Sequence, residues 1–488
     1  MTARLREAMR ETAERVTDRP EPYELYRGAV ARMRRDRRRR LTAAAAAVVI
    51  AAVAGLAVPL WLHRIAPAPA EPPPAPPSLP ARIGAPLWGT PPVTDERLGP
   101  ASVAFGSGTW WWGESKGVTA VVGAGTDDYG IVENDDFLYA GEQAVLSPDG
   151  GRLAGSGRVT DLRTGAVTRL PDLRADPLVP QAWSPDGRWL AVIAYATHRQ
   201  QADGTGVLMA SAAGLHLVAP ASGEHRKIGD LLPQGVTDGW TVAFAHDGRR
   251  LAYQSGQEIT VTDLDGKVLS RFTAPAGARL AGKGAWTPDD RGLTLVSQRR
   301  CCQGEQYGSR WQLTVVAPAD GSARTAPVLP ELAGLVAVRL LGWSPSGEAV
   351  VAALYPEAGT AVLDFSTNQD TLASVHTRLT AYEWVSAARV LAVPASPTGA
   401  TRVLVQGPDV LSIDVADDAI AGGRERPGHP PSGLGPNTRI VLGVAATGAL
   451  VVLGGIVALG VLLLRRRGQP GAGWPPGRSP SNSAKSAR

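Results

Sequence analysis

A short turn motif recurs along the middle of this chain, and its spacing restricts the fold more than any other feature. Trp183-Ser184-Pro185-Asp186-Gly187 returns as Leu146-Ser147-Pro148-Asp149-Gly150, Phe244-Ala245-His246-Asp247-Gly248, Trp286-Thr287-Pro288-Asp289-Asp290 and Trp343-Ser344-Pro345-Ser346-Gly347. Trp384-Val385-Ser386 reads as a degenerate copy. Proline presets φ, aspartate bonds nearby backbone and glycine accepts positive φ, so each copy is tight-turn chemistry. A strand-like run follows, as in Trp189 to Ala194. Each copy therefore predicts a β-hairpin whose first strand ends in a large apolar anchor: Leu146, Trp183, Phe244, Trp286, Trp343 or Trp384.

A second signature, a strand followed by a glycine turn, trails the first. It reads Val159-Thr160-Asp161-Leu162 with Gly165, Val261-Thr262-Asp263-Leu264 with Gly266, Ala219-Pro220-Ala221-Ser222-Gly223 and Ala317-Pro318-Ala319-Asp320-Gly321. Two hairpins per repeat make a four-stranded blade, and radial repetition of such blades makes an all-β propeller with only short sheet edges. Anchor gaps of 37, 42 and 41 residues fit one blade, and gaps of 61 and 57 imply insertions. With an irregular blade over Ala101–Glu133, around Trp110-Trp111-Trp112, the count favours seven blades, six and eight being the alternatives.

The Trp-Ser-Pro-Asp-Gly-Arg-Trp-Leu-Ala run at 183–191 and its relatives resemble the repeats of TolB-like, WD-repeat-type bacterial propellers over roughly residues 100–415. The resemblance implies the fold; propellers of this kind serve as scaffolds, sensors and enzyme accessories alike. The Trp-Asp dipeptide of eukaryotic WD repeats is missing, which places the chain nearer the TolB type. The separate N-terminal domain and soluble periplasmic state of TolB have no counterpart here.

Two apolar stretches flank the repeats. Leu41–Leu62 follows seven arginines between Arg32 and Arg40, and Ile440–Leu464 precedes Arg465-Arg466-Arg467. Both reach the ~20 residues that a helix needs to cross a bilayer. Arginine clusters stay on the cytoplasmic side. The sequence thus predicts a cytoplasmic basic arm (1–40), a transmembrane helix (41–62), a Pro-rich linker (63–82), an extracytoplasmic propeller (83–418), a Gly/Pro linker (419–438), a second transmembrane helix (439–464) and a basic cytoplasmic tail (465–488). The first stretch is too long, and its leader too extended, for a cleaved signal peptide.

Residues 1–40 and 465–488 each carry a net charge of +6, against +5 for the whole chain, so the remainder carries −7. A mildly acidic propeller is a poor match for nucleic acid, whose binding needs a basic face. The abundance of Arg, Ala, Gly and Pro suits a GC-rich genome. The basic arm resembles those of actinobacterial membrane regulators in composition only.

No catalytic constellation emerges. Gly113-Glu114-Ser115-Lys116-Gly117 has the nucleophile-elbow pattern, but that motif needs a strand-to-helix turn, and here it lies within a β-repeat. The seven histidines lack metal-ligand spacing; no metal and no cofactor is expected. The acidic run Asp127, Asp128, Glu133, Asp135 and Asp136 reads as a solvated loop, with a Ca²⁺ site the alternative. Adjacent Cys301 and Cys302 can form a vicinal disulfide, link to another chain or remain thiols. The insertions, placed between the second and third strands of their blades, are the candidate working surface, since loops on a rigid scaffold commonly carry recognition. They hold His198, Arg199 and Gln200 in one and Arg299, Arg300 and Tyr307 in the other. The expected function is binding of a protein or envelope partner, as scaffold or sensor; the rival class is a propeller-based enzyme or accessory subunit acting on an envelope substrate.

Overall fold

The computed structural model describes residues 77–111, 114–132, 140–155, 157–175, 177–200, 207–232, 242–300, 309–325, 327–356, 385–396, 398–433 and 435–467. They form a propeller unit, Pro72–Leu442, and a second unit to which Gly443–Arg467 belong.

The propeller has six blades, each a four-stranded antiparallel sheet. Blade 2 comprises Ala144–Leu146, Arg152–Gly155, Arg158–Asp161 and Val167–Arg169. Blade 3 comprises Leu178–Trp183, Leu190–Gln200, Val207–Ala219 and Glu224–Leu231. Blade 4 comprises Val242–Phe244, Arg250–Ser255, Glu258–Asp263 and Val268–Thr273. Blade 5 comprises Ala278–Leu280, Leu293–Arg300, Ser309–Val316 and Leu332–Ala333. Blade 6 comprises Ala337–Trp343, Ala349–Pro356, Val385–Val393 and Arg402–Pro408.

Blade 1 is assembled from both ends of the repeat region. Ala101–Trp111, Glu114–Gly123 and Tyr129–Val132 supply its outer three strands, and Val410–Val415 supplies the innermost. Ala104 pairs with Asp414 and Val103 with Val415, so the ring closes by strand pairing.

The expectation of seven blades is corrected to six. Trp384 does not end an inner strand: Val385 begins the third strand of blade 6, paired with Ala349–Pro356, and Trp384 itself lies outside the described residues. The stretch around Ala101 is an irregular blade, as expected, because its inner strand comes from the far end of the chain.

Strands covered on both faces read as continuous apolar runs. Leu190, Ala191, Val192 and Ile193 are all fully buried, because neighbouring blades sandwich them. The core accordingly lies between sheets. Val145, Ala154, Trp183 and Val192 cluster between blades 2 and 3, and Phe244, Leu251, Leu215 and Ile193 between blades 3 and 4.

The segments expected as linkers carry regular structure in part where they are described. After the closing strand the chain enters a short helix, α1 (Asp417–Gly422), whose Ala419 and Ile420 are buried. Gly423 ends it in the left-handed conformation that glycine adopts without strain, its N–H donating to Ile420 O. Glu425–Arg426 then pairs in parallel with Leu79–Pro80. Helix α2 (Pro436–Arg467) follows. Its stretch Pro436–Val461 is, among the described residues, the one helix long and apolar enough to cross a membrane, and its large apolar side chains are exposed. The first apolar stretch, Leu41–Leu62, lies outside the described residues.

Candidate functional site

Strand order divides the connections between two faces. One carries the links between second and third strands. In blades 2 and 4 these are minimal, joining Gly155 to Arg158 and Ser255 to Glu258. In blades 3 and 5 the hairpins extend outward: His198 pairs with Met209, Arg199 with Leu208, Gln200 with Val207, Arg299 with Arg310 and Arg300 with Ser309. The expected recognition residues thus stand on the last rungs of two long hairpins. Tyr307, Cys301 and Cys302 lie outside the described residues.

Blade 1 has a long hairpin on the same face, with Trp110 opposite Ser115 and Trp111 opposite Glu114. Ser115 therefore sits on a strand, not on a nucleophile elbow. Sequence reading missed a further insertion, residues 357–384, bracketed by Pro356 and Val385, which pair as the ends of the second and third strands of blade 6. A signal for it exists: Val393-Pro394-Ala395-Ser396, with Gly399, repeats the second signature, and it falls after Trp384 rather than before it.

The opposite face carries the repeat turns. In blade 3 the Ser184 hydroxyl donates to Asp186 Oδ1 at 2.5 Å, the same oxygen accepts the Arg188 N–H at 3.0 Å, and Ser184 Oγ accepts the Trp189 N–H at 2.8 Å. Blades 2 and 5 repeat this with Ser147–Asp149 and Thr287–Asp289. Burial of the Asp149 carboxyl acts to raise its pKa, but the Ser147 hydroxyl, the Gly151 N–H and Arg163 outweigh it and hold it down at about 2.

The anchors join blade to blade. Trp183 Nε1 donates to Val145 O of the preceding blade at 3.2 Å, Trp286 to Ala243 O at 3.1 Å and Trp343 to Gly284 O at 3.1 Å. Trp183, Phe244, Trp286 and Trp343 are all buried. Arg152 and Arg250 stack over Trp183 and Trp286, each from the blade before, with the guanidinium 4.7 and 4.9 Å from the ring centre.

Charged groups are buried where the ring closes. Lys283 of blade 5 reaches Asp414 at 3.1 Å, Asp417 at 2.8 Å and Val415 O at 2.6 Å. Burial alone lowers a lysine pKa; the two carboxylates reverse this and raise that of Lys283. Asp414 Oδ2 also accepts the Leu146 N–H at 2.8 Å, tying blade 1 to blade 2. Arg339 donates to Ala140 O at 3.1 Å and Ile413 O at 2.6 Å, and lies 3.6 Å from Glu142.

Beside this closure the inbound and outbound chains meet in a clasp. Arg426 donates to Ser78 O at 2.9 Å, Gly123 O at 3.0 Å and Thr126 O, and it pairs with Asp127 at 3.3 Å. His429 lies 2.5 Å from the same aspartate. Ile83 N–H donates to Gln406 O, and Gln406 N–H to Ala81 O, so residues 81–83 extend blade 6 by a further edge. Asp127, read from the sequence as part of a solvated acidic loop, is thus a clasp residue. Among the described residues no group of His, Cys, Asp and Glu is placed to hold a metal ion.

These features define a six-bladed propeller with strand closure, a clasp between its entering and leaving segments and one long-hairpin face. No protein-family model matches the chain, and no curated protein does. Among solved structures it is similar to TolB from Acinetobacter baumannii (13% identity, TM-score 0.29, covering 68% of this chain and 84% of that one). It is also similar to a candidate TolB from Agrobacterium tumefaciens (17%, TM-score 0.34, covering 63% and 90%). A third is the β-propeller domain of the Trilobed protease from Pyrococcus furiosus (10%, TM-score 0.29, covering 62% and 68%).

Proposed function

We propose that this protein is a membrane-anchored binding module: a propeller held outside the cell membrane by two helices, both termini cytoplasmic, which captures a protein or envelope partner and performs no chemistry of its own. The observation that carries this reading is the clasp. Leu79–Pro80 beside Glu425–Arg426 brings together the segments that enter and leave the propeller, and helix α2 begins ten residues further on. The two apolar stretches with flanking arginines read from the sequence support both termini lying on one side. The second support is the asymmetry of the faces: the extended hairpin strands of blades 1, 3 and 5 and the paired strand ends Pro356 and Val385 of blade 6 lie on one side of the ring, where recognition loops are commonly carried.

Two measurements test it. In intact spheroplasts, epitope tags at residues 1 and 488 should be protected, and one inserted at 201–206 should be accessible. An accessible tag at either terminus overturns the topology. The full chain should capture a partner from envelope extract, and shortening the 357–384 connection or the 201–206 tip should reduce capture. Capture untouched by both changes removes the long-hairpin face from the proposal.

A further inference from the structure

A cleft of about 310 Å³ opens between blade 6 and the outbound chain, away from the long hairpins. Its floor is apolar, made by Leu79, Val350, Leu404 and Ile420. Its rim is charged, with Glu348, Arg402 and Glu425. We infer that this cleft receives a basic side chain, arginine or lysine, presented by a protein partner. The inference deepens the binding-module reading and rests on it.

The repeat shows how unusual this corner is. In blades 2, 3 and 5 the turn carboxylate is Asp149, Asp186 or Asp289, and each accepts backbone N–H groups of its own turn. In blade 6 that position is Ser346, and the carboxylate has moved two residues on, to Glu348. There it lines the cleft. Its Oε2 takes the Ser346 hydroxyl at 2.8 Å and the Ser344 hydroxyl at 3.4 Å. An ionised carboxylate offers about four acceptor sites, so capacity remains for a further donor.

The charge balance points the same way. Arg402 forms ion pairs with both Glu425 and, at 3.7 Å, Glu348, so one guanidinium is shared between the two carboxylates. Two carboxylates against one guanidinium leave a net negative rim. An apolar floor beneath an anionic rim matches the build of arginine and lysine, whose aliphatic stems cover apolar surface while the head stays polar. An anionic guest would meet two carboxylates, and a purely apolar one would leave them without a new partner.

Position gives the site a consequence. Gly422, Gly423 and Glu425 form one wall and Ser344, Pro345, Ser346 and Glu348 the other. The first wall belongs to the segment that leads to Pro436 and helix α2. A guest touching both walls joins blade 6 to the outbound chain, so occupancy tightens the link between the propeller and its anchor.

The test uses the full chain in detergent and a capped Gly-Arg-Gly peptide, with its citrulline counterpart as the uncharged control. Calorimetry should show saturable binding of the arginine peptide, about tenfold or more tighter than the control, as for a charge-assisted hydrogen bond. Glu348→Gln and Glu425→Gln should each weaken binding about tenfold while the thermal midpoint stays close to that of the parent. Amide exchange should slow at 344–348 and 420–426 when the peptide binds. Equal affinity for both peptides, indifference to both substitutions, or no saturable binding overturns the inference. If envelope capture by the parent chain persists in that case, the binding-module reading stands and only the cleft assignment falls.

Discussion

At the residue scale the repeat is a device for joining blades. An anchor tryptophan fills the space between sheets and bonds the carbonyl of the blade before it. The two contributions separate by mutation. Trp183→Ala should cost about 3–5 kcal/mol, the range for a deleted core aromatic. Trp183→Phe should cost less, on the order of 1–3 kcal/mol, since it keeps most of the packing and removes only the indole donor to Val145 O. Denaturant titration measures both, and a Trp183→Phe variant as stable as the parent would mean that the indole N–H contributes nothing. The turn aspartates predict a pH dependence. Asp149 is held at about 2, below its ordinary value near 4, so it favours the folded state above that ordinary value. That contribution falls away as pH drops from about 4 to 2. Asp149→Asn should flatten the stability profile in this window and leave the profile above pH 6 parallel to the parent's. These residue-scale features were legible in sequence, because turn chemistry and anchor size act within a few residues of each other. The partner carbonyl was not, since it lies on the preceding blade.

At the element scale, matching turns differ in what surrounds them. Gly150 and Gly248 both have positive φ, 67° and 65°. A side chain at Gly150 would bring Cβ to 1.9 Å from Ala101 O, whereas nothing lies within 4 Å at Gly248. Gly248→Ala should therefore cost only left-handed backbone strain, about 1–2 kcal/mol. Gly150→Ala should cost clearly more, because it also forces blade 1 away from blade 2. Thermal midpoints of the pair decide this. Hairpin lengths were legible for blades 3 and 5, where both signatures bracket the insertion. Blade 6 was misread because an isolated tryptophan at 384 imitates an anchor. Strand pairing decides the matter: Val385–Val393 sits between two strands of blade 6, a position that no inner strand can take.

At the scale of the whole molecule, closure depends on buried charge. Lys283, from blade 5, compensates Asp414 on the closing strand and Asp417 on α1. Removing the lysine should strand a fully buried carboxylate, so Lys283→Met should destabilise by about 3–5 kcal/mol. A second change, Asp414→Leu, should recover part of that loss in the double variant, the remainder being the lost bond to Leu146 N–H. No recovery at all would show that Lys283 acts by packing alone. The clasp adds a second closure outside the ring, so tension on helix α2 reaches Arg426 and Asp127 before it reaches the closing strand.

The sequence by itself determined the blade architecture, the apolar spans and the two insertions it could bracket, because periodic anchors, turn residues and hydropathy are local properties. That the first and last strands must be neighbours also follows from a closed ring of repeats; tertiary structure alone decided the number of blades, the register of the strand that completes the first one, the contacts of the clasp and the cleft beside it. Each of these joins residues hundreds of positions apart, Ala104 with Asp414 and Leu79 with Glu425 among them. No short-range pattern records such a pairing. Its register follows from the ring as a whole, where a closed circle of blades leaves only one place for the last strand to go.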